Sequence, residues 1–282
     1  MKRLKSIFIS AAVMVWTYFT FLFVSEFIVN GFTLLAAGLF LVAVLPFGFF
    51  MGLLALRPVA RTSRSLNWFT ASIAVGFILV VIAVWQNGLA YNNLLIAAVS
   101  FGLWLTYLYW YSTLPKPIAA LAVGNKLAEL TFSDRGTPFS AADISGKKVL
   151  YLFYRGNWCP LCVAQIKEIS AQYQELEKRG VEVLLISPQP VGHSVHLAKK
   201  MKVNFRFLTD TNNAMARKLK LDVAHGVPLG MEVLGYKSET VLPTVIITDE
   251  QSDIIFVDQT DNYRIRPEPK TFLKALDDHK KI

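Results

Sequence analysis

Four long apolar stretches in the first 114 residues constrain this chain more than any other feature of its sequence. They lie at 7–29, 32–56, 66–85 and 94–114. A helix that crosses the hydrocarbon core of a bilayer needs about 20 apolar residues, and each stretch supplies that length. Glu26 is the only acidic residue before position 115, and 54% of the whole chain is hydrophobic. The sequence therefore predicts four transmembrane helices.

The first stretch could instead be the core of a signal peptide, because basic residues precede it. Its apolar run is long and no small-residue cleavage site follows, so we expect a retained span. The spans contain neither cysteine nor histidine, and Glu26 is their only charge. Since ionisable residues inside a membrane mark ion pathways, residues 1–114 are predicted to be an anchor with the lipid bilayer as partner.

The orientation of the spans follows from their basic flanks. Lysine and arginine occur at positions 2–5 and 57–64, and the other two connections carry neither. Because cytoplasmic loops carry the excess of positive charge, the N-terminus and the domain after the fourth span are expected in the cytoplasm. The prediction is an integral protein of the bacterial inner membrane; a periplasmic location of the domain after the fourth span is the alternative, since one miscounted span would reverse the orientation.

The pattern changes after a predicted linker at 115–126. Nearly continuous apolar runs at 148–154 and 181–186 are typical of buried parallel strands, and an amphipathic helix lies between them. A hairpin is predicted at 244–257 and a terminal helix at 269–279. The predicted fold is thus an α-helical membrane region followed by an α/β domain at 127–282.

Charge and cysteine content exclude several classes of protein. The net charge is +9, but basic and acidic residues alternate in the second part, so nucleic acid is not an expected partner. The chain has only two cysteines, Cys159 and Cys162, so no framework of structural disulfides exists. A zinc site would need two more ligands, and the four histidines are scattered along the sequence, so no metal is expected.

The two cysteines lie where a strand meets a helix. At a helix N-terminus, free backbone N–H groups and the helix dipole stabilise a thiolate, so Cys159 is the expected nucleophile. Pro160 suits the first helical position, where its missing N–H has no partner. Cys162 would attack a mixed disulfide on Cys159 and release the substrate. A redox-active Cys159–Cys162 disulfide is therefore predicted, with no other cofactor.

Several motifs resemble the alkyl hydroperoxide reductase/thiol-specific antioxidant (AhpC/TSA) family, in its peroxiredoxin-like branch. They are LAVGNK at 121–126, DISGK at 143–147, FYRGNWCPLC at 153–162, GVEV at 180–183 and PTVI at 243–246. The resemblance spans about residues 121 to 280 and implies a thioredoxin fold. It also implies that Pro243 is a cis-proline beside the cysteines and that Trp158 belongs to a docking surface.

Two departures from that family bear on activity. Typical peroxiredoxins have proline seven residues and threonine three residues before the reactive cysteine; counted from Cys159, these positions are Leu152 and Gly156. Thioredoxins carry a buried aspartate six residues before their first cysteine, where this chain has Phe153. Proton transfer must then use water or another group.

Three arginines are candidates for stabilising the thiolate: Arg155, Arg264 and Arg266. A guanidinium group is permanently charged and favours an anion at short range. Each of these residues could equally lie on the surface.

Three functions remain open from the sequence. The leading one is a membrane-anchored thiol-disulfide oxidoreductase acting on a protein or small-molecule disulfide, with an external thiol reductant. The alternative is a peroxiredoxin-like thiol peroxidase with antioxidant activity. A membrane-tethered copper carrier is the third. The sequence leaves the oligomeric state open.

Overall fold

A computed structural model describes residues 2–56, 59–88, 91–115, 117–201 and 204–279 of the chain. Arg57, one of the basic residues in the orientation prediction, lies outside these ranges. The chain divides into two compact units. One unit comprises Leu4–Pro58 and Thr62–Thr113, and the other comprises Met1–Arg3, Val59–Arg61 and Leu114–Ile282.

Among the residues that the structure describes, the first unit has four helices that are long and apolar enough to cross a membrane. Two of them contain a π-helical turn. The helical segments are α1 Lys2–Asn30, α2 Leu34–Leu39, a π-turn at Phe40–Val44, α3 Leu45–Leu56, α4 Asn67–Asn87, α5 Tyr91–Thr106 and a π-turn at Tyr107–Tyr111.

Small residues and side-chain hydrogen bonds hold this unit together. A Cβ atom on Gly38 of α2 would lie only 2.8 Å from Val80 Cγ2, and one on Gly76 of α4 only 3.0 Å from Gly38 O. Glycines therefore allow α2 and α4 to cross closely, as is common between membrane helices. The indole N–H of Trp16 donates to Ser100 Oγ at 2.8 Å and joins α1 to α5.

The second unit contains a seven-stranded sheet in the order β2-β1-β5-β4-β3-β8-β9 and a separate two-stranded ribbon, β6-β7. The strands are β1 Thr131–Asp134, β2 Thr137–Ser140, β3 Lys148–Phe153, β4 Val181–Ser187, β5 Arg206–Thr209, β6 Asp222–Val223, β7 Thr240–Val241, β8 Thr244–Thr248 and β9 Ile254–Gln259. The α-helices are α6 Pro160–Ala171, α7 Tyr173–Lys178, α8 Val191–Met201, α9 Ala214–Lys218 and α10 Pro269–His279.

The order of these elements is that of a thioredoxin fold. Strands β3 and β4 are parallel and are joined by α6, while β8 and β9 form an antiparallel hairpin beside β3. Every residue of β3 is buried, which explains its nearly continuous apolar sequence. The α/β prediction for this part of the chain is confirmed, and α6 starts at the carboxyl-terminal edge of β3.

Residues 117–126 differ from the predicted linker, because they pack on the redox domain. Leu121 is buried in the same hydrophobic core as Tyr151 of β3. The Gln259 side chain accepts from the backbone N–H of Ile118 at 2.6 Å and donates to Leu121 O at 3.0 Å. Prolines and small residues suggested a linker, but two apolar side chains and one glutamine of β9 attach the segment to the sheet.

Candidate active site

The first turn of α6 carries both cysteines. Cys159 is the residue before the helix, with extended backbone angles, and Pro160 occupies the first helical position. Cys162 lies within the same turn. Both cysteines are free thiols, and they are only 2% and 0% exposed. The two side chains are hydrogen-bonded to each other.

Donors converge on the sulfur of Cys162. Arg266 Nη2 lies 3.6 Å from Cys162 Sγ. The backbone N–H of Arg155 and the thiol of Cys159 also donate to this sulfur. Burial opposes ionisation of Cys162, but the hydrogen bond from Cys159 and the charge of Arg266 outweigh it, so the pKa of Cys162 is lowered.

Cys159 shows the opposite behaviour. Burial, and the hydrogen bond that it donates to Cys162, raise the pKa of the Cys159 thiol well above its usual value. Because the Arg266 guanidinium contacts the sulfur of Cys162, Cys162 is the favoured site for a negative charge on the pair. This distribution differs from the expectation that the residue at the helix start would hold the thiolate, because the guanidinium group that favours an anion touches the other sulfur.

Arg266 is held by two further contacts. Its Nε donates to Tyr263 O at 2.9 Å, and its Nη1 donates to Gln165 Oε1 at 3.2 Å. Gln165 lies on α6, one turn after Cys162, and is buried like Arg266 itself. The guanidinium group is thus fixed in place by the same helix that presents the thiolate, and Gln165 is a site residue that the sequence analysis missed.

The other two candidate arginines have different surroundings. The Arg155 guanidinium lies 4.5 Å from the centre of the Trp158 ring and donates to Gly226 O at 2.6 Å. Arg264 is completely buried, and its backbone N–H donates to Asn262 Oδ1 at 3.0 Å. The guanidinium group of Arg266 is in contact with the sulfur of Cys162, as predicted for one of the three arginines.

The backbone explains why glycine occupies position 156. Gly156 has a φ of +140°, a region that residues with a Cβ rarely adopt. A Cβ there would lie 2.9 Å from the Trp158 ring and 3.2 Å from Gln189 Oε1. Trp158 is half-buried. Its ring packs against the loop at Gly156, and part of the residue remains accessible at the surface.

Gln189 is the second site residue that the sequence analysis missed. Its Oε1 accepts from the backbone N–H of Asn157 at 2.8 Å, and its Nε2 lies 2.9 Å from the Tyr154 hydroxyl. Burial raises the pKa of Tyr154, so this phenol stays neutral. Gln189 follows β4, and parallel neighbouring strands end at the same edge of a sheet, which is the signal that could have identified it.

Pro243 corrects one expectation. None of the peptide bonds in the described residues is cis, so the bond before Pro243 is trans. The trans isomer is favoured by about 0.5–1 kcal/mol for an ordinary X–Pro bond. The residue before Pro243 is also held by a backbone hydrogen bond, because the Leu242 N–H donates to Leu221 O. Thr244 pairs with Phe153, so Pro243 still lies at the edge of the sheet from which the cysteine loop leaves.

Metal ligation was the remaining open question for these cysteines. Within the ranges that the structure describes, no cluster of three or more histidine, cysteine, aspartate or glutamate side chains is arranged to hold a metal ion.

Comparison with known proteins places this site in a family. Residues 123–257 match the sequence model of the AhpC/TSA family. The protein assigned as peroxiredoxin bcp in Coxiella burnetii is 28% identical over 136 residues, which are 48% of this chain and 86% of that protein. Its counterpart in Haemophilus influenzae is 32% identical over 99 residues, 35% of this chain and 64% of that protein.

Among plant proteins, chloroplastic peroxiredoxin Q of Sedum lineare is 30% identical over 101 residues, which are 36% of this chain and 54% of that protein. The alignments with the Haemophilus and Sedum proteins thus span less than two thirds of each relative. Together with the strand order, these matches show that the carboxy-terminal domain of this chain has a peroxiredoxin-like thioredoxin fold and is similar to the AhpC/TSA family.

Proposed function

We propose that this domain is a thiol peroxidase in which Cys162 reacts with hydroperoxides and Cys159 resolves the product. The convergence of Arg266, the Arg155 N–H and the Cys159 thiol on the sulfur of Cys162 carries this proposal. A thiolate is the reactive form of cysteine, and Cys162 is the sulfur that the surroundings keep ionised. The curated relatives, which are named peroxiredoxins, support the same chemistry. They favour the peroxidase over the disulfide exchange that the sequence analysis placed first.

The reaction proceeds in two balanced steps. The Cys162 thiolate attacks the terminal oxygen of a hydroperoxide; an S–O bond forms, the O–O bond breaks, and the alkoxide leaves and takes a proton from water. Cys162 is now a sulfenic acid, and the hydroperoxide has been reduced to an alcohol. The Cys159 thiol then attacks this sulfur, a disulfide forms, and water leaves.

A further reductant must close the cycle. Two electrons from an external dithiol reduce the Cys159–Cys162 disulfide through a mixed disulfide. Arg266 lies beside the reacting sulfur, where its positive charge stabilises the thiolate before the reaction and the negative charge of the leaving alkoxide during it.

Single cysteine variants of the full chain test the assignment of roles. We expect Cys162→Ser to abolish the rapid reaction with hydrogen peroxide in stopped-flow experiments. We expect Cys159→Ser to retain this reaction and to accumulate a sulfenic acid that a dimedone probe labels. The reverse pattern would make Cys159 the peroxide-reactive residue, and rates no faster than that of free cysteine in both variants and the wild type would reject the peroxidase.

Disulfide exchange remains a second candidate because of one specific observation. The two sulfurs share a hydrogen bond across a Cys-x-x-Cys spacing, which brings them together as dithiol-disulfide exchange requires. Reduction of a protein disulfide, followed by turbidity or fluorescence, measures this activity. A domain that reduces the disulfide faster than it consumes peroxide would reverse our order of preference.

We further propose that the four apolar helices anchor the domain to a bilayer. Their length and composition support this proposal, as does the positive charge near the N-terminus and between the second and third helices. We expect the full chain to stay in the membrane pellet after alkaline carbonate washing. A carboxy-terminal tag should resist protease in intact spheroplasts and become sensitive after lysis. Digestion of the tag in intact spheroplasts would place the redox domain in the periplasm, and release of the chain by carbonate would reject the anchor.

A further inference from the structure

Residues Val59–Arg61 lie between the second and third apolar helices in the sequence, but they belong to the same compact unit as the redox domain. Ala60 is buried, and the side chain of Arg61 makes polar contacts with the rest of the unit. Its guanidinium group forms a bidentate ion pair with Glu168 of α6. A short interhelical segment thus reaches the helix that carries both cysteines.

The same guanidinium group binds the backbone beside the thiolate. Arg61 Nε donates to Arg266 O at 3.0 Å, and Arg61 Nη2 lies 3.3 Å from Pro267 O. Arginine suits this position because its planar group can bind a carboxylate and a backbone carbonyl at the same time. Arg61 therefore joins the two elements on which the anionic sulfur depends: α6, which carries Cys162, and the segment that carries Arg266.

We propose that Arg61 is a positioning residue of the redox centre: by tying Glu168 to the carbonyl groups of Arg266 and Pro267, it holds the Arg266 guanidinium on the sulfur of Cys162. The proposal deepens the function proposed above, because it concerns the same thiolate. Segment Val59–Arg61 is then a part of the active-site framework of the redox unit.

The ionisable groups around Cys162 determine the pH at which its thiol ionises. The ionisable groups around its sulfur are Cys159, Tyr154, Arg155 and Arg266. Asp258 of β9 also feels the charge of Arg266. Arg61 acts on this set only through the position of Arg266, so its removal should move the ionisation of Cys162 without removing a charge from the sulfur itself.

Site-resolved alkylation tests the proposal on the full chain in detergent. The reduced protein is treated with iodoacetamide across a range of pH, and the modification of the Cys162 peptide is quantified by mass spectrometry. In Arg61→Ala we expect the pH midpoint to rise and the alkylation rate at neutral pH to fall by roughly tenfold, as is common for coupled neighbours. Glu168→Gln should give a smaller change in the same direction, and Arg61→Lys an intermediate one.

Arg179→Ala is the matched control. Arg179 also pairs with carboxylates, donating to Asp277 Oδ1 at 2.8 Å and to Glu175 Oε2 at 2.8 Å, but it binds no backbone near the cysteines. We expect this variant to lower the melting temperature and to leave the Cys162 midpoint unchanged. If Arg61→Ala behaves in the same way, or if Glu168→Gln and Arg61→Lys both keep the wild-type midpoint, Arg61 is a general brace and the proposal is wrong.

Alkylation needs no hydroperoxide, so the two proposals can fail separately. A shifted midpoint together with no peroxide consumption would reject the peroxidase and keep Arg61 as a positioning residue. Rapid peroxide consumption with an unshifted midpoint would do the reverse.

Discussion

Arg266 links the charge of the site to its pH dependence. The pKa of Cys162 is lowered because the Cys159 thiol and Arg266 outweigh burial, so the thiolate persists well below the ordinary thiol pKa of about 8.5. We expect the peroxide reaction of the wild type to change little as the pH falls from 8 to 7 and to decline only at lower pH. In Arg266→Gln the pKa of Cys162 should rise, so the decline in rate should begin at a higher pH than in the wild type; the rate falls about tenfold per further unit only once that pKa exceeds the assay pH.

The exposed residue Arg135 provides the control for this prediction. Arg135→Gln also removes one positive charge, but this residue is exposed and pairs with Asp134 instead of a cysteine. The pH profile of its peroxide reaction should therefore match that of the wild type. A profile for Arg266→Gln that also matches the wild type would show that Arg266 does not stabilise the thiolate.

Gly156 is a second residue whose identity the structure explains. We expect Gly156→Ala to destabilise the domain by about 2–4 kcal/mol, because its positive φ strains the backbone and its Cβ would crowd Trp158 and Gln189. Gly136 has a φ of +98° with open space around its Cβ position, so Gly136→Ala reports the backbone strain alone. Thermal unfolding of both variants measures the difference, and equal losses would contradict the role of crowding.

The residues of the site differ in how far the sequence reveals them. Cys159 and Cys162 could be recognised from their spacing alone, because the motif lies within one turn of one helix. The contact of Arg266 with Cys162 joins positions 104 residues apart, which no local pattern encodes. Their roles also depend on this contact. Counted back from Cys162 instead of Cys159, the position three residues earlier is Cys159 itself, so the place of the family's threonine is taken by a thiol that donates to the same sulfur.

At the scale of elements, the buried strands were predictable and the edge of the sheet was not. Strands β3, β4 and β8 are buried throughout or nearly so, and their nearly continuous apolar runs predict them from the sequence. Strands β1 and β2 are four residues each and mostly polar, and β2 contains Pro138, which sheets tolerate at an edge. Short edge strands lack both the length and the periodicity on which such predictions rest.

The segment before the first strand gives a prediction at this scale. If residues 117–126 were a linker, a substitution there would change stability by no more than about 0.5 kcal/mol. Because Leu121 is buried in the core, we expect Leu121→Ala to cost about 2–4 kcal/mol. Val123 is exposed in the same segment and serves as the control for thermal unfolding. If Leu121→Ala loses no more stability than Val123→Ala, the interpretation of residues 117–126 as a linker would be correct.

At the scale of the whole molecule, sequence composition separates a strongly apolar unit from a unit of mixed polar and apolar composition. Four apolar helices could be counted from hydropathy, whereas the assignment of Val59–Arg61 to the redox unit could not. Arg61 looks in the sequence like one of several basic residues that flank a span. Its pairing with Glu168 depends on the folded position of α6 and is visible only in three dimensions.

The burial of both cysteines sets a limit on the speed of the catalytic cycle. A protein reductant is far larger than a hydroperoxide and must bring its own sulfur into line with the disulfide. With side chains that are 2% and 0% exposed, the first turn of α6 has to open locally before that attack. The rate of re-reduction should therefore level off as the reductant concentration rises, at a plateau equal to the opening rate of this turn, while the peroxide step continues to rise linearly with peroxide.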